Sequence, residues 1–185
     1  MTKIEEFFEK SVSSGTIPER VGCDPFFSTF QELAALNGRL LEIPKESLAC
    51  CGCDPNNPTK IKTVDIPRST ELSREYAATR QRIEKIHELF RKFDSIAAEY
   101  EKLGLDCAPT PYGIARVRED VSNQHLKISR RINNEAAFLL TGRAAQADNV
   151  SQHRKIIPMN EQLAGLQSQL KQLESLESKA QKIGV

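Results

Sequence analysis

The chain has 185 residues, of which 26 are Lys or Arg, 25 are Asp or Glu and 39% are hydrophobic. That length fits one domain, or one domain with an appendage, and the apolar content is enough for a core, which excludes wholesale disorder. A net charge of +1 argues against a dedicated polyelectrolyte binder, and five cysteines are too few for a disulfide scaffold.

The first residues (Met1-Thr2-Lys3-Ile4-Glu5-Glu6) show neither a basic stretch nor an apolar one, so no signal peptide is expected. No run approaches the roughly 18 apolar residues of a membrane-spanning helix. These features, with an odd number of cysteines, predict a soluble intracellular protein, cytoplasmic by default, with its thiols reduced.

In chain order, Ile4, Phe7, Phe8 and Val12 form one side of a short amphipathic helix ending near Gly15. Asp24-Pro25 opens a second helix, with Asp as the N-cap, Pro at the first helical position and Gly38 just past the end. Phe7, Phe8, Phe26, Phe27 and Phe30 crowd these two pieces, more rings than two short helices can bury between themselves. They are expected to pack on the long helices that follow or on another chain, which makes them candidate partner-binding residues.

Cys50-Cys51-Gly52-Cys53 places three thiols within four residues. A zinc site would need a fourth ligand, from Cys23, His87, His125 or His153. Structural zinc sites pair two ligands two to four residues apart with a second such pair elsewhere, and no second pair exists here. Structural thiols are the reading, with neither metal nor cofactor expected, and redox or acylation roles as the remaining alternatives. Residues 54–67 read as a turn and an extended linker, which closes an N-terminal segment of residues 1–67.

Beyond Pro67 the prolines leave three free windows, 68–108, 112–157 and 159–185. Proline breaks a helix interior, so each window predicts a long helix and residues 68–185 form a second domain. In the first window, positions 72, 76, 79, 83, 86, 90, 93, 97 and 100 follow alternating steps of four and three, and all but Thr79 are apolar. That is a sustained heptad seam, with Ser69 or Thr70 as its cap and Gly104 at its stop. Leu89, Ile96 and Leu103 add a third apolar row, which suits a bundle with more than one neighbour and makes them further candidate partner residues.

The second window carries Ile114, Val117, Val121, His125, Ile128, Ile132, Ala136 and Leu139 in an eleven-residue repeat. It predicts a helix from about 112 to 140. Thr141-Gly142 marks a break, while Ala147 and Val150 extend the pattern towards 156. His125 falls on the apolar face and reads as a packed, hydrogen-bonded histidine, whereas His87 and His153 read as surface residues. Arg116, Lys127, Arg130 and Arg131 share part of one side, interrupted by Glu119 and Asp120, so a solvated face is favoured over a nucleic-acid surface. The third window places Met159, Leu163, Leu166, Leu170, Leu173 and Ala180 on one seam, with Pro158 as the break and Asn160 as the N-cap.

The expected fold is all-α: an elongated antiparallel helical hairpin or three-helix bundle of coiled-coil character, preceded by short helices. No phosphate loop, dinucleotide fingerprint, metalloprotease helix or nucleophile elbow is present. The expected function is therefore non-enzymatic: a structural or scaffold subunit that assembles with protein partners or a second copy through coiled-coil seams and an aromatic N-terminal docking segment. The alternatives are a nucleic-acid-binding helical arm, a small metal module at Cys50–Cys53, and an accessory protein of a pathogen or phage.

Charge is unevenly spread beneath the near-neutral total. Residues 1–68 hold 8 positive and 10 negative groups, net −2, and residues 104–157 hold 8 and 5, net +3. The remaining stretches balance.

Overall fold

Thr2 begins the first helix by accepting the backbone N–H of Glu5 on its hydroxyl, while the Glu5 carboxylate accepts the backbone N–H of Thr2 at 2.6 Å. This reciprocal pair is a capping box, and it starts α1, Lys3–Ser13. The computed structural model describes all residues except 16, 18, 51–52, 55–56, 62–64, 105–106, 141–148 and 184–185. Of residues 20, 53–54, 57–61, 138–140 and 149–153 it describes the backbone alone. The other helices are α2 (Glu19–Gly22), α3 (Pro25–Cys50), α4 (Ile66–Glu101), α5 (Pro111–Leu140) and α6 (Asn149–Lys182). The only β-structure among the described residues is a small antiparallel ribbon. It pairs β1 (Cys53–Asp54) with β2 (Asn57–Ile61), where an extended linker was expected, and it leaves the fold all-α. No helix among the described residues is long and apolar enough to cross a membrane.

Several helix ends lie where local chemistry demands. Asp24 caps α3 through the Phe26 N–H at 2.9 Å. Gly15 and Gly104 adopt positive φ just after α1 and α4, the left-handed conformation that ends a helix. Three expected ends are corrected. α3 does not stop at Gly38: that residue lacks a positive φ, and the helix runs on through Pro44 to Cys50. α6 likewise continues through Pro158, so Asn160 is interior and no break occurs there. Both prolines are exposed, and each costs its helix one backbone hydrogen bond without ending it. α4 starts at Ile66, capped by Asp65 through the Arg68 N–H at 3.0 Å rather than by Ser69 or Thr70.

Contacts divide the chain at 95/96, within α4, into units of Met1–Ser95 and Ile96–Val185. In the first unit α3 and α4 run antiparallel. Phe26 meets Phe90 and Phe93 at ring-centroid distances of 6.2 and 5.3 Å, and Phe8 of α1 meets Phe27 and Phe30 at 5.4 and 5.6 Å. Leu72, Thr79, Ile83, Ile86, Phe90 and Phe93 of the predicted seam are buried here, and Tyr76 alone is exposed, at 39%.

A ladder of ion pairs fixes this register. Glu32, Arg39 and Glu46 are spaced by seven on α3, and Arg68, Glu75 and Arg82 by seven on α4. Glu32 meets Arg82 at 2.7 Å, Arg39 meets Glu75 at 2.6 Å, and Glu46 meets Arg68 at 3.3 Å. Arg39 also bonds Glu46. Because the signs alternate on both helices, sliding one helix by a heptad would set Glu against Glu and Arg against Arg. The guanidinium of Arg82 holds the Glu32 carboxyl below the ordinary range, and that of Arg39 does the same to Glu46 and Glu75.

In the second unit α5 and α6 run antiparallel, with Arg118 near the start of one 2.8 Å from Glu177 near the end of the other. Thr110 and Pro111 open α5. The Thr110 hydroxyl accepts the Gly113 N–H at 3.0 Å, and a Cβ added at Gly113 would lie 2.0 Å from the Ala108 carbonyl oxygen. That approach is open to glycine alone.

Candidate interaction surfaces

Burial along the α5–α6 pair is graded. At the base, Ile114, Val117 and Val121 of α5 and Leu166, Leu173, Leu176 and Ala180 of α6 are buried, as are Ile96, Ala97 and Tyr100 from the end of α4. Lys179 ties α6 to Glu99 of that end at 2.5 Å. Towards the far end, Ile128, Ile132 and Ala136 of α5 and Ile156, Met159 and Leu163 of α6 are only half-buried. Leu126 and Ile157, at 49% and 46% exposure, add apolar surface outside the seam. Two helices cover only one side of each other's stripe, so a seam dry in a three-helix cross-section is left open in a two-helix one. Leu139 lies outside the described side chains.

His125 sits on the seam where burial begins to fall. Its Nε2 is buried with no hydrogen-bond partner among the described residues. The packed position expected on the apolar face is found, and Nε2 takes no part in the expected hydrogen bond. Lys127, Arg130 and Arg131 are exposed on α5. Arg116 lies over the Tyr112 ring, 5.6 Å from its centroid, and bonds the Tyr112 hydroxyl, which raises the guanidinium pKa. This pair lines an open groove of about 680 Å³ with Arg118, Glu119, Leu170 and Glu174.

Of the aromatic residues singled out in the N-terminal segment, Phe8, Phe26 and Phe27 are buried within the chain, and Phe7 and Phe30 are half-buried. Of the third row, Ile96 is buried, while Leu89 and Leu103 are half-buried. The residues of this set with surface to offer are Phe7, Phe30, Leu89 and Leu103.

His87 was expected at the surface alone. Instead its Nδ1 lies 2.8 Å from the buried Glu5 carboxylate, the same carboxylate that caps α1. With the Lys3 N–H donating to Asp94 at 2.7 Å, this pins the start of α1 to α4. The pair faces a groove of about 420 Å³ that Glu9, Phe30 and Arg91 also line. Sequence reading missed it because 82 residues separate the partners. The ion-pair ladder, by contrast, had a signal: three alternating charges at seven-residue spacing on each helix.

Cys23 and Cys50 carry free thiols. Cys51 and the Cys53 side chain lie outside the described residues, as do Ala147 and the side chains of Val150 and His153. Among the described residues, no three His, Cys, Asp or Glu side chains converge on a common metal position. Comparison with known proteins finds no match: no family model, no curated protein and no solved structure resembles this chain.

Proposed function

We propose that the protein is a non-enzymatic structural subunit that joins protein assemblies through its long helices, with the far half of the α5–α6 pair as the engaging surface. The observation that carries this reading is the gradient of burial. The apolar seam between α5 and α6 is buried at its base and half-open beyond Val121 and Leu166, with Leu126 and Ile157 exposed beside the open part. A partner helix laid on that half would bury the stripe as the end of α4 does at the base. Aromatic packing draws most of the N-terminal rings into the first unit, which leaves Phe7, Phe30, Leu89 and Leu103 as secondary contributors to docking.

The test is quantitative affinity capture from the native source. The unaltered chain should retain a defined protein set that Leu126→Glu with Ile157→Glu depletes at least about tenfold, the effect of roughly 1.4 kcal/mol of lost binding. Equal retention by both chains would refute the surface. A second reading, a helical arm for nucleic acid, is favoured by the exposure of Lys127, Arg130 and Arg131. It requires salt-dependent RNA or DNA binding that charge reversal at Arg130 and Arg131 abolishes.

A further inference from the structure

The outer face of α3 is poor in charge. Its charged residues are Glu32, Arg39, Glu42, Lys45 and Glu46, and three of them, Glu32, Arg39 and Glu46, turn towards α4 in the ion-pair ladder. What remains on the outside from 34 to 49 is Ala34, Ala35, Asn37, Gly38, Leu41, Glu42, Pro44, Lys45, Leu48 and Ala49, all exposed. Leu41 and Leu48, seven residues apart, are 71% and 57% exposed. The neighbouring α4 presents Arg80, Glu84, Lys85, Glu88, Arg91 and Lys92 to water, as a solvated helix does.

The α3 stripe also continues a packed one. Phe27 and Phe30 lie on the same line of three- and four-residue steps as Ala34, Gly38, Leu41, Lys45 and Leu48. Phe8 of α1 covers those two rings, and beyond Phe30 the line is bare. A Cβ added at Gly38 would meet nothing within 4 Å, so another backbone has room to approach there. The stripe carries two charges of opposite sign three residues apart: Lys45, and Glu42, which also lies 3.5 Å from Arg39 of the same helix.

We infer that this stripe is a self-association face, on which α3 of a second copy lies antiparallel about a two-fold axis. A two-fold contact uses the same patch twice, so the patch must complement itself. An antiparallel α3 pair does so: Leu41 of each copy packs near Leu48 of the other, and Glu42 of each faces Lys45 of the other. An acidic or a basic partner would satisfy one of these charges and oppose the other. The stripe is about 24 Å long at 1.5 Å per residue, which suits a dimer in reversible equilibrium rather than a permanent one.

Sedimentation equilibrium of the full chain tests this, in reducing buffer because Cys23 is exposed. The unaltered protein should show a concentration-dependent dimer below about 100 µM. Leu41→Glu with Leu48→Glu should raise the dimer dissociation constant at least about tenfold. Both residues are exposed, so helix content by circular dichroism should not change. Glu42→Lys alone and Lys45→Glu alone should each weaken the dimer, and the two together should restore it. A monomer throughout that range, a dimer indifferent to the leucine pair, or charge variants that do not rescue each other would overturn the inference. Leu126→Glu with Ile157→Glu should leave the dimer intact, which separates this face from the one on α5 and α6.

Discussion

Phe90 and Phe93 lie one turn apart on α4, both fully buried, and Phe26 closes on the pair from α3. Replacing either with Ala should cost about 3–5 kcal/mol, the usual result of removing a ring from a core that cannot collapse around the gap. Chemical denaturation measures it, and a loss below about 1 kcal/mol at either position would dismiss the packing described. Gly113 makes the opposite prediction: one added methyl meets the Ala108 carbonyl. Gly113→Ala should destabilise the second unit by at least about 2 kcal/mol, read as a lower denaturation midpoint. The two phenylalanines were legible in the sequence because they repeat at heptad spacing, and periodicity reports burial directly. Gly113 was not. Its constraint comes from a loop carbonyl five residues back, and nothing in local composition marks a close approach.

The helices themselves follow from pattern, but their ends do not follow from proline alone. Eight of the nine seam positions on α4 are buried as the four-three spacing predicts. Gly38 and Pro158 are local stop signals that the helices run past, α3 to Cys50 and α6 from Asn149 to Lys182. The pairing of α3 with α4 rests on a long-range match of charges that no single window displays. Arg82→Glu should lower the denaturation midpoint, and adding Glu32→Arg should restore most of the loss, because the pair returns with its sign reversed. The same ladder sets a pH dependence. Glu32, Glu46 and Glu75 have folded pKa values below their unfolded ones, so their contribution is present above the ordinary carboxylate pKa of about 4.3. It is lost as pH falls through the folded values. The difference in midpoint between the unaltered chain and Arg39→Gln should therefore shrink as melts are moved from pH 7 towards pH 3, and a difference unchanged over that range would dismiss the ladder.

At the scale of the whole molecule, two units share one helix, and each leaves a helical face less covered than its core. In the first it is the outer stripe of α3, and in the second the far half of α5 and α6. The all-α class and the long helices were readable from sequence. The two open faces were not, because the same apolar spacing describes a covered seam and an open one, and only burial separates them. Backbone hydrogen exchange, compared between the chain alone and the chain in complexes from its native source, tests the assembly role most directly. Amides of residues 128–136 and 156–163 should exchange faster than those of 114–121 and 166–180 in the isolated chain, and should become protected in the complex. Uniformly slow exchange along both helices, unchanged by the native partners, would contradict the account.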